Sequence, residues 1–428
     1  MNIITIDCGA SFVKGTAFKD NIKVKNISRK APGYSINPFS ENYHISELYK
    51  IVENMILSLS VEGEDNYLCI SNEMHGFVLT DDKAEPITDY ISWQLDLGQS
   101  ILREPSVDHS LYINSGMPLR GGLPSCNLAY INESGKIEKC IDVYFYTLGD
   151  FLIRKFSGKE PFASKSNAAS TGLFDIQKNE WNKELIHFIG CHNIIFPTVL
   201  ERSIEFKMNN MKYVVLPAIG DQQAALLGAG LTDNRTLSFN LGTGAQVSRI
   251  SKTFDLGKAY QVRPYFYNMY LITIPHIPSG RALNVYFRLI KDVLKGFDLN
   301  CSDDIIWDKI THFAYASDSS QIKTDLGFFE NSVNSSIKGS ICNIGEYDLT
   351  IGNLFRSALE QMADNFCEVA DRIISREDNY KILFSGGIAN RFELVRNRIC
   401  EYYSDYPVQN SDGDTLEGLN KYCEIMNK

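Results

Sequence analysis

Two short glycine turns, far apart in the chain and each caught between runs of β-forming residues, constrain this fold more than any other feature. The first is Ile6-Asp7-Cys8-Gly9-Ala10-Ser11 and the second is Asn240-Leu241-Gly242-Thr243-Gly244-Ala245. Asn2 to Ile6 and Phe12 to Phe18 flank the first, while Thr236 to Asn240 and Gln246 to Ile250 flank the second. Each therefore reads as strand, tight turn, strand. Small residues at such a turn let backbone N–H groups approach an anion with no side chain in the way. Two such turns imply a nucleotide held between two domains.

A single Asp-x-Gly turn is an ordinary hairpin feature. Here the pair is joined by Ala218-Ile219-Gly220-Asp221-Gln222-Gln223-Ala224-Ala225 and by Leu383-Phe384-Ser385-Gly386-Gly387-Ile388-Ala389-Asn390, both glycine turns between an apolar run and a helical segment. With these turns in this order, the chain resembles the FGGY family of carbohydrate kinases, within the group that shares the actin, Hsp70 and hexokinase ATPase core. Ser71-Asn72-Glu73-Met74-His75-Gly76 resembles that family's Gln-Met-His-Gly sugar segment, and Ile91-Ser92-Trp93-Gln94 its Trp-Gln or Trp-Asn segment. Asp150-Phe151-Leu152 through Ser170-Thr171-Gly172-Leu173-Phe174-Asp175 follows its run of helix, loop and strand. The likeness spans nearly the whole length. It implies an α/β fold of two ribonuclease H-like domains flanking a catalytic cleft, divided here as residues 1–230 and 231–428.

Composition agrees with that architecture. A chain of 428 residues is too long for one ordinary core, and 44% hydrophobic with 22% charged residues is the makeup of a globular protein. The net charge of −10 argues against nucleic-acid binding, which is carried by basic surface. No apolar run of about 18 residues is present, and no basic stretch precedes an apolar segment at the start, so a cytoplasmic location without membrane contact is expected. The ten cysteines are scattered singly with no Cys-x-x-Cys pair, which fits buried thiols better than zinc or a disulfide framework. Cys191-His192 reads as structural. Cys8 lies within the first turn, where oxidation or alkylation would block a nucleotide.

Apolar spacing at Leu48, Ile51, Val52, Met55, Ile56 and Leu59 has the helical period and predicts a helix over 44–60. Strands are expected at Asn2 to Asp7, Phe12 to Phe18, Ile22 to Ile27 and Asn66 to Ile70. In the second half, Leu359, Met362, Ala363, Phe366, Val369, Ala370 and Ile373 form the buried stripe of a helix over about 352–375, which feeds a strand at Lys381 to Phe384. The halves hinge around 220–235.

Phosphorylating a hydroxyl requires a carboxylate at the attacking oxygen, because the hydroxyl's own pKa lies far above neutral. Asp221, ahead of a helix over Gln222 to Leu227, is the candidate base; the competing reading is a plain helix N-cap. The resemblance gives Asp7 the task of holding Mg²⁺, through water, because that ion prefers oxygen ligands and keeps much of its hydration. Gly9, Ser11 and Lys14 of the first turn and Gly242, Thr243 and Gly244 of the second would meet the ATP phosphates. Gly386, Gly387 and Asn390 resemble the adenosine segment. Glu73, His75, Trp93, Gln94, Asp96 and Gln222 are the expected sugar contacts, since hydroxyl-rich ligands need planar polar side chains and an aromatic face.

Trp93-Gln94, Asn240 to Gln246 and Gly280-Arg281-Ala282-Leu283-Asn284 look most like the sedoheptulokinase branch. Similar kinases follow Trp-Gln or Trp-Asn with Asp and then Gly-Arg; this chain has Leu95-Asp96-Leu97-Gly98 and no arginine. A pentulose such as xylulose or ribulose, another heptose or a polyol therefore stays open as the acceptor. A filament- or chaperone-type ATPase and a catalytically silent sugar sensor are the alternatives of a different class. A homodimer is expected only by analogy.

Overall fold

The computed structural model describes the chain except residues 41–43, 99–108, 138–141, 161, 243, 258–259, 318–320, 335–336, 376–378, 412 and 428. The first half is built on β1 (Asn2–Cys8), β2 (Phe12–Lys19), β3 (Ile22–Lys30), β4 (Asn66–Asn72), β5 (Ile204–Met208), β6 (Met211–Val215) and β7 (Ile219–Gly220). Its strand order is β5-β6-β4-β1-β2-β3, with β7 continuing the line of β6 along β4. Consecutive β1, β2 and β3 pair antiparallel through tight turns. Asp20 and Asn21, at φ 50° and 64°, supply the left-handed backbone that a two-residue hairpin turn needs. β4 runs parallel to β1, which requires a crossover, and α1 (His44–Leu59) provides it. Its apolar stripe packs with Ile4, Ile6, Val13, Leu68 and Ile70. α2 (Leu148–Ser157) covers the same core.

α3 (Lys165–Ser170) precedes β5, and α4 (Asp221–Ala229) follows β7 and leads into the second half. There β8 (Thr236–Asn240), β9 (Ala245–Ser251), β10 (Gln261–Tyr265), β11 (Met269–Ile277), β12 (Lys381–Ser385) and β13 (Val408–Asn410) take the order β10-β11-β9-β8-β12-β13. β8 with β9 and β9 with β11 are antiparallel, and β12 is parallel to β8. This repeats the arrangement around β1, a likeness that the two stretches of sequence do not display. α5 (Gly280–Gly296) and α6 (Ile351–Asp371) enclose the larger core with the predicted stripe of α6 at its centre. That helix ends at Asp371, short of the expected 375, and Arg372 caps it. β3 likewise runs to Lys30, beyond the expected Ile27.

α7 (Gly387–Arg391) follows β12, and α8 (Thr415–Met426) closes the chain. α8 returns to the first half, where Leu416, Leu419, Tyr422 and Cys423 pack with Ile3, Phe18 and Cys69. α4 lies between the sheets. Its Ala224 and Leu227 enter the core under β1, while Leu226 and Ala229 join Ile250, Leu271 and Leu383 of the second half. A smaller sheet of Val78–Thr80, Val143–Tyr146 and Ile194–Ile195, absent from the sequence reading, stacks Phe77 on Phe145 and anchors the loops carrying Trp93 and Arg120.

Candidate active site

Both glycine turns lie at the carboxyl ends of their first strands, β1 and β8; the amino end of α4 lies near Asp7 of the first and bonds through Gln222 to Gln246, beside the second. Asp221 is the first residue of α4, with Gly220 as the cap, so the plain N-cap reading does not describe it. Its Oδ1 accepts from the Gln222 backbone N–H at 2.8 Å. Burial raises its pKa to about 7, the neighbouring carboxyls of Asp7 and Glu73 push the same way, and Arg263 opposes them. Gln222 reaches the other half, its Nε2 donating to Gln246 Oε1 at 2.5 Å and lying 3.3 Å from Thr273 Oγ1, while its Oε1 is buried without a partner among the described residues. Adjacent residues of one helix thus face the two sheets.

Asp7 lies opposite Lys14 of β2 and beside Ser71 of β4, whose hydroxyl donates to its Oδ1 at 2.9 Å. Burial raises the Asp7 pKa; the Ser71 bond and the Lys14 charge offset part of it. Gly9 closes the turn by donating to Phe12 O at 3.2 Å, and Ser11 and Lys14 are exposed. Cys8 is 1% exposed and burial pushes its thiol pKa up, so the expected chemistry at that position is corrected: this sulfur is shielded and a poor nucleophile. Cys191 is buried too, its thiol donating to carbonyls of Leu128 and Ile189.

The second turn and the Gly386-Gly387 turn touch. Leu241 N donates to Ser385 O at 2.8 Å and Ile388 N to Leu241 O at 3.0 Å. Gly386 has φ +93°, and a Cβ there would stand 2.5 Å from Leu241 O, so glycine is required. Gly244 and Gly387 face open space, and Gly387, the first residue of α7, and Asn390, near its end, are exposed. Gly242 is half-buried beside the Asn240 side chain; Thr243 lies outside the described residues.

Glu73 is 5% exposed, and its Oε1 has no hydrogen-bond partner among the described residues. Burial raises its pKa, while nearby hydroxyls of Tyr34, Tyr90 and Ser92 favour the anion without completing a bond to Oε1. His75 holds an unusual backbone at φ 66° and donates from Nδ1 to Ser170 O at 2.6 Å. That bond leaves Nε2 as an acceptor, 3.5 Å from Arg263 Nη2. Burial lowers the His75 pKa well below its ordinary value, and Arg263 and Arg120 lower it further, so the ring is neutral. Trp93 is 39% exposed and is therefore no core tryptophan. It shares an exposed loop with Gln94 and Asp96 that leans on Arg120-Gly121-Gly122.

Arg263 and Arg120 escaped the sequence reading because no motif marks them. One signal was present: Arg263 interrupts Gln261-Val262-Arg263-Pro264-Tyr265, a strand buried at all five positions. A cavity of about 340 Å³ lined by Ser166, Gln223, Tyr265 and Tyr422 contains none of the expected site residues.

The acidic groups suit a divalent ion carried in by a nucleotide. Asp7 stands close enough to raise the Asp221 pKa, yet no cluster of three potential ligands exists among the described residues. An ion here would rest on one or two carboxylates plus phosphate oxygens, the habit of Mg²⁺.

Known proteins resemble this chain in sequence and in fold. Residues 2–234 match the FGGY family of carbohydrate kinases, N-terminal domain. A glycerol kinase from Aquifex aeolicus is 27% identical over 259 residues, 56% of this chain and 52% of that protein, about half its length. One from Leptospira biflexa is 24% identical over 404 residues, covering 86% of this chain and 78% of its own. The structure of a xylulose kinase from Lactobacillus acidophilus superposes with a TM-score of 0.82 at 15% identity, over 100% of this chain and 89% of that one, and establishes the two-domain actin and hexokinase type of fold. The chain belongs to the FGGY family of carbohydrate kinases.

Proposed function

We propose that this protein transfers the γ-phosphoryl group of ATP to a hydroxyl of a small polyhydroxylated acceptor, a ketose or a related polyol, with Asp221 as the base. The observation that carries this reading is the placement of Asp221 at the amino end of a helix wedged between the two sheets, within reach of Asp7 and Glu73. A carboxyl whose pKa lies near 7 is matched to taking a proton at neutral pH. Gln222, Glu73 and His75 would orient the acceptor, the two Oε1 atoms, unpartnered among the described residues, and the His75 Nε2 serving as acceptors for sugar hydroxyls. The touching Leu241 and Gly386 turns would cradle the nucleotide, and Mg²⁺ held near Asp7 would supply charge neutralisation on its phosphates. With Trp93 and Gln94 at the rim, closure of the halves 1–230 and 231–428 would exclude water and suppress plain hydrolysis.

The sequence likeness to the sedoheptulokinase branch makes sedoheptulose the first neutral acceptor to test; glycerol and xylulose follow, as the acceptors named for the relatives. The test is coupled ADP release with Mg-ATP against sedoheptulose, xylulose, ribulose and glycerol. Acceptor-dependent release supports a kinase; release that ignores the acceptor would favour a hydrolytic ATPase.

A further inference from the structure

Arg263 is 5% exposed, and no carboxylate forms an ion pair with it among the described residues. Its Nη1 donates to Met74 Sδ at 3.2 Å, and its Nη2 donates to Gln261 Oε1 at 2.6 Å and lies 3.5 Å from His75 Nε2. Its Nε is buried with no partner among the described residues. Taking a guanidinium out of water against a thioether, a carboxamide and an imidazole costs several kcal/mol, which proteins ordinarily offset with a nearby anion. A second guanidinium makes the imbalance worse. The Arg120 loop is tied to the Arg263 strand by the 2.7 Å bond from Val262 N to Gly116 O. Arg120 repels Arg263 and helps hold both His75 and His276 neutral. Arg281, stacked on Phe329 at 4.2 Å, adds its charge against His276. Of the acids nearby, Glu330 and Asp96 act on Arg120, and Asp221 acts on Arg263 without forming an ion pair with it among the described residues.

We propose that the acceptor carries an anionic group, the carboxylate of a sugar acid or the phosphate of a sugar phosphate, held by Arg263 and Arg120 apart from the hydroxyl that attacks ATP. The inference rests on the kinase reading and narrows its acceptor. The group's charge would offset that of the buried Arg263, and its oxygens would accept from the free Nε. A guanidinium meets carboxylate and phosphate with paired, charge-assisted hydrogen bonds that a neutral hydroxyl cannot match.

The experiment compares acceptors of shared skeleton: glucitol with gluconate, and ribulose with ribulose 5-phosphate, each by Mg-ATP-dependent ADP release and by thermal shift without nucleotide. One anionic member of the two pairs should exceed its neutral partner by about tenfold or more in kcat/KM, a difference of roughly 1.4 kcal/mol, and which pair responds identifies carboxylate or phosphate. Arg263→Gln should erase most of that ratio through KM, with Arg263→Lys restoring part; Arg120→Gln serves if the first variant does not fold. Turnover of neutral acceptors at equal or higher kcat/KM overturns the inference and leaves the kinase reading standing. Thermal shift by an anion that depends on Arg263, with no ADP release from any acceptor, keeps the anion site and removes the kinase reading. Neither shift nor release overturns the inference.

Discussion

At the scale of single residues, the proposed chemistry rests on carboxyls whose pKa values burial has raised. Asp221 must lose its proton to act as a base, and its pKa of about 7 places the loss inside the working range. The account predicts that kcat/KM falls below about pH 7 along an acid limb set by the free enzyme. The kcat limb should lie at lower pH, because a bound cation near Asp7 favours the Asp221 anion. A pH profile of both parameters checks this, and a flat kcat/KM between pH 5 and 8 would refute the assignment. Asp221→Asn should reduce kcat on the order of a hundredfold or more while leaving the fold intact, since it removes a buried charge. His75 contributes no limb of its own: burial and the surrounding arginines hold it neutral, against its Nδ1 bond to Ser170, which favours the charged ring.

Among the structural elements, α4 and α8 carry the strictest packing. A Cβ on Gly418 would stand 1.8 Å from Ala224 O, and one on Gly228 would stand 2.0 Å from Asp414 O, so these helices cross backbone against backbone. Gly418→Ala should destabilise the protein by about 1–3 kcal/mol and lower kcat, because α4 carries Asp221; denaturant titration with activity measurement checks both. In α2, Asp150 is buried against Thr147 Oγ1 at 2.6 Å, and burial raises its pKa to about 7. A carboxyl raised on folding stabilises the native state below its unfolded pKa of roughly 4, and that contribution is lost as pH rises through about 7. Asp150→Asn should therefore gain about 1–3 kcal/mol at pH 8 relative to pH 4, less the cost of a disturbed hydrogen bond. Equal effects at both pH values would contradict this origin. Much of this level was legible beforehand. The α1 and α6 stripes and the strands around both glycine turns follow from local periodicity, which needs no knowledge of distant neighbours. The return of α8 to the first half was not legible, because the two glycines that permit it look ordinary in sequence.

For the whole molecule, the helix wedged between the two similar sheets links the glycine turns: Asp221 stands near Asp7, Gln222 bonds Gln246 beside the second turn, and that turn bonds the Gly386 turn. The sequence singled out these turns as candidates, since each carries its own Asp or glycine signature. It did not reveal Arg120 and Arg263, whose meeting depends on a loop of the first half hydrogen-bonded to a strand of the second. The proposed role of Arg263 rests on its burial without an ion-paired carboxylate among the described residues, which only tertiary structure displays. The lesson is physical: backbone-driven features are local, whereas charge balance is set by residues far apart in the chain.

The central claim is that Asp221 promotes phosphoryl transfer to an acceptor hydroxyl instead of to water. Mass analysis of the acceptor after incubation with Mg-ATP, alongside ADP quantification, tests it for the native protein and Asp221→Asn. The account predicts phosphorylated acceptor formed mole for mole with ADP by the native protein and nearly none by the variant. ADP formed without phosphorylated acceptor, or equal product from the variant, would contradict it.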